Sequence, residues 1–161
     1  MGLTGKVRWT KLPIDQILQQ ITALEMETLS SLKGPIKDVI ERNIGTQYFS
    51  LAELKAMHHP YRIGGPGRPG GIPAGVVNLQ SGDFYSSIVL RGPLKLGQDQ
   101  VAITVYSRGE KELGGWLLNG THGKHPMQGR PWTNHLRTEI FKVAAPAIAA
   151  LEKRLRLRVK V

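Results

Sequence analysis

Residues 84–107, FYSSIVLRGPLKLGQDQVAITVYS, decide the fold because they hold two strand-forming runs separated by turn formers. The runs are Phe84–Arg91 and Gln100–Ser107. In the second run, β-branched residues at 101, 103 and 105 alternate with small or polar residues, which is the two-residue period of a half-buried strand. Gly92-Pro93 and the Gly-Gln-Asp sequence at 97–99 supply the turn. This pattern predicts an antiparallel pair of strands.

Two helical segments are expected before the sheet. Apolar residues recur at helical spacing over residues 13–44. Gly34-Pro35 interrupts this pattern, because proline lacks an amide hydrogen and clashes with the preceding turn. A kinked helix or two consecutive helices are therefore predicted. Ser50 and Glu53 have the spacing of a capping box, which favours a further short helical turn over residues 50–57.

Helical spacing returns after the sheet, over residues 133–155, with Thr133 as a candidate N-cap. Pro146 is expected to kink this helix. From Leu155 onward, apolar and cationic residues alternate, which is the period of a strand. Residues 156–161 are therefore predicted to form a basic terminal strand or tail. The cationic residues of this alternation are Arg154, which directly precedes Leu155, and Arg156, Arg158 and Lys160.

The segment 58–80 is predicted to be an extended loop or arm. Its centre, residues 60–75, reads PYRIGGPGRPGGIPAG, and no regular element tolerates that density of glycine and proline. A loop of this length is either functional or disordered. An arm that orders on contact with a neighbouring subunit accounts for it best. Its candidate assembly residues are Tyr61, Arg62 and Arg68.

Together these elements predict one α+β domain over residues 1–161. A small antiparallel sheet, placed at residues 84–122, packs against a long N-terminal helix and a C-terminal helix, with a long Gly/Pro-rich loop. The short apolar run Trp116–Leu118 is the candidate third strand.

Composition agrees with a folded and strongly basic protein. Apolar residues make up 40% and charged residues 21%, and there is no cysteine. No stretch approaches the roughly 18 consecutive apolar residues of a membrane span. Residues 1–6 are followed by no apolar run, so no secretory signal is expected. The formal net charge is +10, unevenly spread: residues 13–44 carry −2, whereas residues 151–161 carry +4. A field of this sign attracts polyanions.

Catalytic, metal and cofactor sites are not expected. His122 and His125 have a short spacing but no acid or cysteine nearby, which disfavours a metal site. His58-His59 with Asn134-His135 has the residue types of a metal-dependent nuclease, but its two halves lie far apart in the sequence. The glycine-rich loop has prolines where a phosphate-binding loop needs donor amides.

The cationic terminus has two open interpretations. A strand with four positive charges on one side could contact DNA phosphates without reading sequence. Alternatively, it is an edge strand whose Lys and Arg residues prevent aggregation.

Two patterns, in order along the chain, resemble one protein family. In the first, residues 80–88 (QSGDFYSSI) place a Ser81-Gly82 turn before a strand. In the second, residues 116–121 (WLLNGT) end in Gly120-Thr121, and Arg130-Pro131-Trp132 enters a helix. Together they are similar to the tail-completion and minor-tail-component family of long-tailed bacteriophages, among the tail-terminator and head–tail joining proteins. The likeness covers about residues 14–152.

The resemblance implies a structural virion protein and no enzyme. Members form a ring, commonly of six subunits, at the neck of the virion, between the tail tube protein and the head–tail connector or stopper. Double-stranded DNA passes through the lumen, and assembly takes place in the cytoplasm of the bacterial host. The motif residues are then structural, and the basic terminus would face DNA or a neighbouring subunit. A free basic nucleic-acid-binding module is the alternative.

Overall fold

The computed structural model describes residues 14–73, 75–97, 100–108, 117, 120–121, 127–130 and 132–159. It confirms the predicted α+β class: helices lie on either side of an antiparallel hairpin in chain order. None of the helices in these ranges is long and apolar enough to cross a membrane.

Two consecutive helices form the N-terminal part, as the sequence predicts. Helix α1 covers Ile14–Ser31 and helix α2 covers Lys33–Ile40, followed by a π-helical turn at Glu41–Gly45. The break lies at Leu32, two residues before Gly34-Pro35. This position places Pro35 in the first turn of α2, where backbone amides have no intrahelical acceptor and the missing hydrogen costs nothing.

The predicted hairpin is present, but its first strand begins later than expected. Strand β1 is Ile88–Lys95 and strand β2 is Val101–Ser107, paired antiparallel with Ile88 opposite Ser107. The register shifts between Arg91 and Leu94. Gly92 lies in this irregularity with φ of 115°, and a Cβ there would approach the carbonyl oxygen of Ala102 to 2.6 Å. The irregularity therefore requires glycine.

The strand prediction for residues 84–87 is wrong. After helix α3 (Leu51–Ala56), the next helix, α4, covers Asp83–Ser87. The Ser87 hydroxyl donates to the Phe84 carbonyl at 2.7 Å, and the Ser86 amide donates to the Gly82 carbonyl at 2.9 Å. Such local bonds favour a helical turn over a strand ladder. Gly82 precedes this helix with a left-handed φ of 87°, a conformation that glycine adopts without steric cost.

Two short strands pair separately from the hairpin. Strand β3 is Gly120–Thr121 and strand β4 is Met127–Gln128, antiparallel to each other. Within the described ranges, the predicted sheet over 84–122 is thus two separate pairs. Of the candidate third strand, Trp116 and Leu118 lie outside the described residues, and Leu117 has a helical conformation.

The C-terminal helix α5 covers Trp132–Val159 and continues past the predicted end. It begins at Trp132, so Thr133 lies inside the first turn, and it contains Pro146. The terminal-strand prediction is wrong for residues up to 159; residues 160–161 lie outside the described part. The alternation at 154–161 fits a strand, but the sequence also fits a helix. Leu151 and Leu155, both half-buried, are four residues apart and so continue the apolar stripe of α5.

The main core lies where α2, α4, α5 and the hairpin meet. Helix α1 lies against β1, β2 and α5, and α2 lies against α5. Val39 and Ile44 are the most deeply buried, at 0% and 1% exposure. The buried members of this core are Leu32, Ile36, Val39, Ile40, Ile44, Val77, Phe84, Leu136 and Ala144.

The loop 58–80 has no regular helix or strand in its described residues, as expected, but it does not project as an arm. Ile72 and Val76 are 2% and 5% exposed and form a second core with Leu54 and Tyr61. Val77, one residue further on, belongs to the main core. The apolar residues among the glycines and prolines thus bind the segment to the domain.

Candidate functional site: an apolar cleft with a stacked arginine

A cleft of ≈250 Å³ opens between α3, the loop 58–80, α4 and residue 130. Most of its wall is apolar, and among the described residues that line it Arg130 is the one with a permanent positive charge. The residues that line the cleft include Leu51, Leu54, Tyr61, Val77, Leu117 and Arg130. The cleft is therefore a hydrophobic depression with a single guanidinium.

Asn78 fixes the loop wall of the cleft. Its side chain is buried, and its Oδ1 accepts from the backbone amides of Tyr48 at 2.7 Å and Phe49 at 2.9 Å. Its Nδ2 donates to the Phe49 carbonyl at 2.8 Å. One asparagine thus satisfies three backbone groups about 30 residues away, which ties the end of the loop to the start of α3.

Helix α3 is held by the predicted capping box. The Ser50 hydroxyl accepts from the Glu53 amide at 3.2 Å, and the Glu53 carboxylate accepts from the Ser50 amide at 2.7 Å. The hydrogen bond from the Ser50 hydroxyl and the one from its amide hold the pKa of the Glu53 carboxyl below its usual value. The cap fixes the direction of α3, which presents Leu54 to the second core and to the cleft.

The polar end of the cleft is formed by Arg130 stacked on Tyr61. The guanidinium carbon lies 3.6 Å from the centre of the Tyr61 ring, a cation–π contact. Burial lowers the pKa of the Arg130 guanidinium, while Tyr61 acts in the opposite direction. Burial also raises the pKa of the Tyr61 hydroxyl, against the opposing effects of Arg130 and Arg68. Because an arginine side chain stays protonated in proteins, the Arg130 guanidinium makes this site cationic.

Backbone hydrogen bonds hold this pair together across 69 positions of sequence. The Gln128 amide donates to the Tyr61 carbonyl at 2.6 Å, and the Arg130 amide donates to the Leu117 carbonyl at 2.8 Å. The Gln128 side chain also donates to the Arg62 carbonyl at 3.1 Å. The loop and the segment before α5 therefore form one wall.

The structure unites several residues that the sequence singled out separately. Tyr61 from the candidate assembly loop meets Arg130 from the second motif, and Arg68 is close enough to influence Tyr61 electrostatically. The two motifs also touch each other: the rings of Phe84 and Trp132 pack edge to face at 5.1 Å. Trp132 thus fixes α5 to the core beside the hairpin.

Other predicted residues have smaller roles. The Ser81 hydroxyl accepts from the Asp83 amide at 3.4 Å, and Arg62 is exposed. Gly120 and Thr121 form β3, and Pro131 lies outside the described residues. Sequence reasoning missed Asn78, whose only signal was a polar residue between the apolar Val77 and Leu79.

The cationic terminus does not form one charged face. Arg154 and Arg156 are both exposed, but two helical positions are about 200° apart around the axis. Arg154 lies 3.8 Å from the Glu27 carboxylate of α1, an exposed pair that contributes little to stability. Arg158 lies in α5, and Lys160 lies outside the described part of the chain.

The structure gives no geometric support to a metal site or a nuclease site at the histidines that it describes. Within the described residues, no three His, Cys, Asp or Glu side chains form a group that could hold a metal ion. His58 and His59 are exposed in the left-handed backbone region, with φ of 55° and 48°. His122 and His125 lie outside the described residues.

Comparison of the chain with protein-family models, with curated protein sequences and with solved structures gave no match.

Proposed function

We propose that this chain is a structural subunit of a tailed-phage particle, of the tail-completion, tail-terminator or head–tail joining type. It assembles as a ring at the neck, in contact with the tail tube protein and the connector or stopper, and double-stranded DNA passes through the lumen. The observation that carries the proposal is that the two family-like motifs meet in space at the Phe84–Trp132 contact. Both motifs therefore contribute a side chain to the main core.

The surface supports a subunit role. Large apolar side chains are exposed on the helices, the loop and the hairpin, and association would cover them. Those above 50% exposure are Leu51, Ile63, Leu96 and Phe141. Strands β1 and β2 each have one edge that pairs with no other described strand. Open edges invite pairing with another chain.

The experiment is the native mass of the purified protein, alone and after mixing with tail tubes of a candidate phage. A closed ring, or monomers that become a ring at tube ends, is expected. Phe141→Ser is expected to weaken ring formation, because it removes an exposed aromatic that association would bury. Lys142→Ser, at the next exposed position of α5, is the matched control. A chain that stays monomeric and does not bind tubes would contradict the proposal.

The alternative is a free basic nucleic-acid-binding module, favoured by the exposed cations near the end of α5. Lys153 and Arg156 are exposed, three residues apart on one side of the helix. If they bind phosphates, Lys153→Gln with Arg156→Gln should lower the salt dependence of DNA affinity by about two counterions. Lys33→Gln with Lys37→Gln removes the same charge from exposed positions of α2 and is the control. Tight binding of short DNA by a monomer would favour this alternative over a ring.

A further inference from the structure

Arg130 carries a positive charge in a half-buried position without an acidic partner among the described residues. Its Nε is buried and has no hydrogen-bond partner in the described part of the chain, and the same is true of the Tyr61 hydroxyl. Folded proteins seldom leave buried donors unsatisfied, because each costs the free energy of its lost hydration. The two residues are stacked on each other and both line the cleft, so an acceptor supplied by another molecule can approach the guanidinium from the cleft.

The chemistry of the donors selects a carboxylate. A guanidinium holds a carboxylate through two parallel hydrogen bonds, and the hydroxyl of Tyr61, the residue on which it stacks, is a further donor. The stack on Tyr61 fixes the guanidinium plane, so little side-chain freedom is lost when the anion binds.

The shape and polarity of the cleft indicate which kind of molecule carries the carboxylate. Leu51, Leu54 and Val77 supply an apolar wall beside Arg130, and Leu51 is 52% exposed. The cleft volume of ≈250 Å³ lies below the roughly 300–1,000 Å³ of pockets for drug-sized ligands. This space suits one or two protein side chains. A nucleic-acid backbone would instead bring repeated charges against an apolar surface.

We propose that Arg130 and Tyr61 recognise one acidic side chain of a partner polypeptide, whose neighbouring large apolar side chain occupies the cleft. The complementary charge of the occupant neutralises the unpaired guanidinium, and its apolar side chain covers Leu51 and Leu54. This site does not depend on the phage assignment, because it is defined by the chemistry of its occupant.

A matched pair of peptides tests the site on the intact, unmodified chain. Acetyl-Leu-Glu-Leu-amide and acetyl-Leu-Gln-Leu-amide have nearly the same shape and differ in charge. The Nε–Hε signal of Arg130 in nuclear magnetic resonance reports directly on hydrogen bonding at that atom. We expect the glutamate peptide to shift this signal and to bind roughly 10- to 100-fold more tightly than the glutamine peptide.

Conservative variants locate the recognition. Arg130→Lys keeps the charge but lacks the planar fork, so it should lose most of the preference for glutamate. Tyr61→Phe keeps the ring and removes the hydroxyl, so binding should weaken roughly 3- to 10-fold. Arg62→Lys, at an exposed position of the same loop, should leave binding unchanged.

Three results would overturn the proposal. The first is equal binding of both peptides by the unmodified chain, an outcome that variant misfolding cannot produce. The second is a folded Arg130→Lys variant that retains the full preference. The third is a shift of the Arg130 signal by inorganic phosphate at the same concentration as by the glutamate peptide, which would make this a general anion site.

Discussion

The two cores of this domain bury apolar side chains to a similar extent but by different means. In the main core, regular elements present a periodic apolar face, and Val39 and Ile44 are held by neighbours on α2, α4 and α5. In the second core, Ile72 and Val76 come from a segment without regular helix or strand. Hydrogen bonds from one side chain, Asn78, and from scattered backbone amides take the place of a ladder there.

This difference shows that apolar side chains can be buried in a core without a periodic sequence pattern. A glycine- and proline-rich segment can be an integral part of a domain when a few apolar residues and one well-placed amide tie it down. The second core should still be the less stable of the two, because fewer cooperative hydrogen bonds must break to open it. The cleft and the Tyr61–Arg130 pair lie on its border, so they depend on its integrity.

The largest expected effect compares the two cores by the same substitution. Ile44→Ala, at 1% exposure, should lower the free energy of unfolding by about 2–5 kcal/mol. Ile72→Ala, at 2% exposure, should cost less, about 2 kcal/mol, because the irregular segment can collapse into the space left behind. Urea unfolding of both variants measures the difference. A larger loss for Ile72→Ala would reverse the assigned order of stability.

Next is a pair of glycines that probes how closely the loop approaches α5. Gly75 has φ of 78°, and a Cβ there would lie 2.4 Å from the Cβ of His135. Gly71 has φ of 89° with nothing within 4 Å of a Cβ. Gly71→Ala therefore introduces backbone strain alone, whereas Gly75→Ala adds overpacking of about 1–3 kcal/mol. Equal unfolding free energies of the two variants would contradict the observed contact.

Asn78→Ala should destabilise the second core selectively. It leaves the backbone amides of Tyr48 and Phe49 without their acceptor, whereas the Phe49 carbonyl still accepts from the Gln80 side chain, and the expected cost is about 1–3 kcal/mol. Asn78→Asp keeps the accepting oxygen, so its loss of stability is expected to be smaller than that of Asn78→Ala. Limited proteolysis should cut the Ala variant between residues 58 and 80 and leave the hairpin intact. Uniform destabilisation of both regions would show instead that the two cores unfold as one unit.

The smallest effect concerns the cap of α3. Ser50→Ala should cost about 1 kcal/mol and remove the hydroxyl hydrogen bond, which is the largest cause of the lowered pKa of Glu53, while the amide hydrogen bond stays. Because this pKa is lower in the folded state than in the unfolded state, Glu53 adds stability at higher pH. That stability is lost as the pH falls below the ordinary carboxyl value of 4.5. Titration of the Glu53 carboxyl by nuclear magnetic resonance should show a higher pKa in Ser50→Ala, and an unchanged value would exclude the capping box.

Much of the fold follows from local patterns, and the exceptions have local physical reasons. The alternation at 101–105 gives β2, and Gly34-Pro35 marks the helix break to within two residues. Phe84 and Tyr85 have high strand propensity, yet hydrogen bonds of Ser86 and Ser87 form α4. At the terminus, the alternation of cationic and apolar residues over 154–161 suggested a strand. The apolar stripe through Leu151 and Leu155 has helical spacing, and the helix continues.

The candidate site was only partly predictable. Tyr61 and Arg130 each stood out in the sequence, one in a loop and one in a motif, but their contact depends on tertiary packing across 69 positions. No local pattern encodes the role of Asn78, since its partners lie about 30 residues away. Likewise, the burial of Ile72 among glycines has no period by which it could be recognised.

Amide hydrogen exchange on the intact protein tests most directly that residues 58–80 belong to the folded domain, on which the cleft and the carboxylate site both depend. The Val77 amide donates to the Asn43 carbonyl at 2.8 Å, and the Leu79 amide donates to the Thr46 carbonyl at 3.0 Å. Protection of both amides, weaker than in the β1–β2 hairpin but far above that of an unfolded chain, is the expected result. Exchange of both at unfolded-chain rates, with the hairpin still protected, would contradict it.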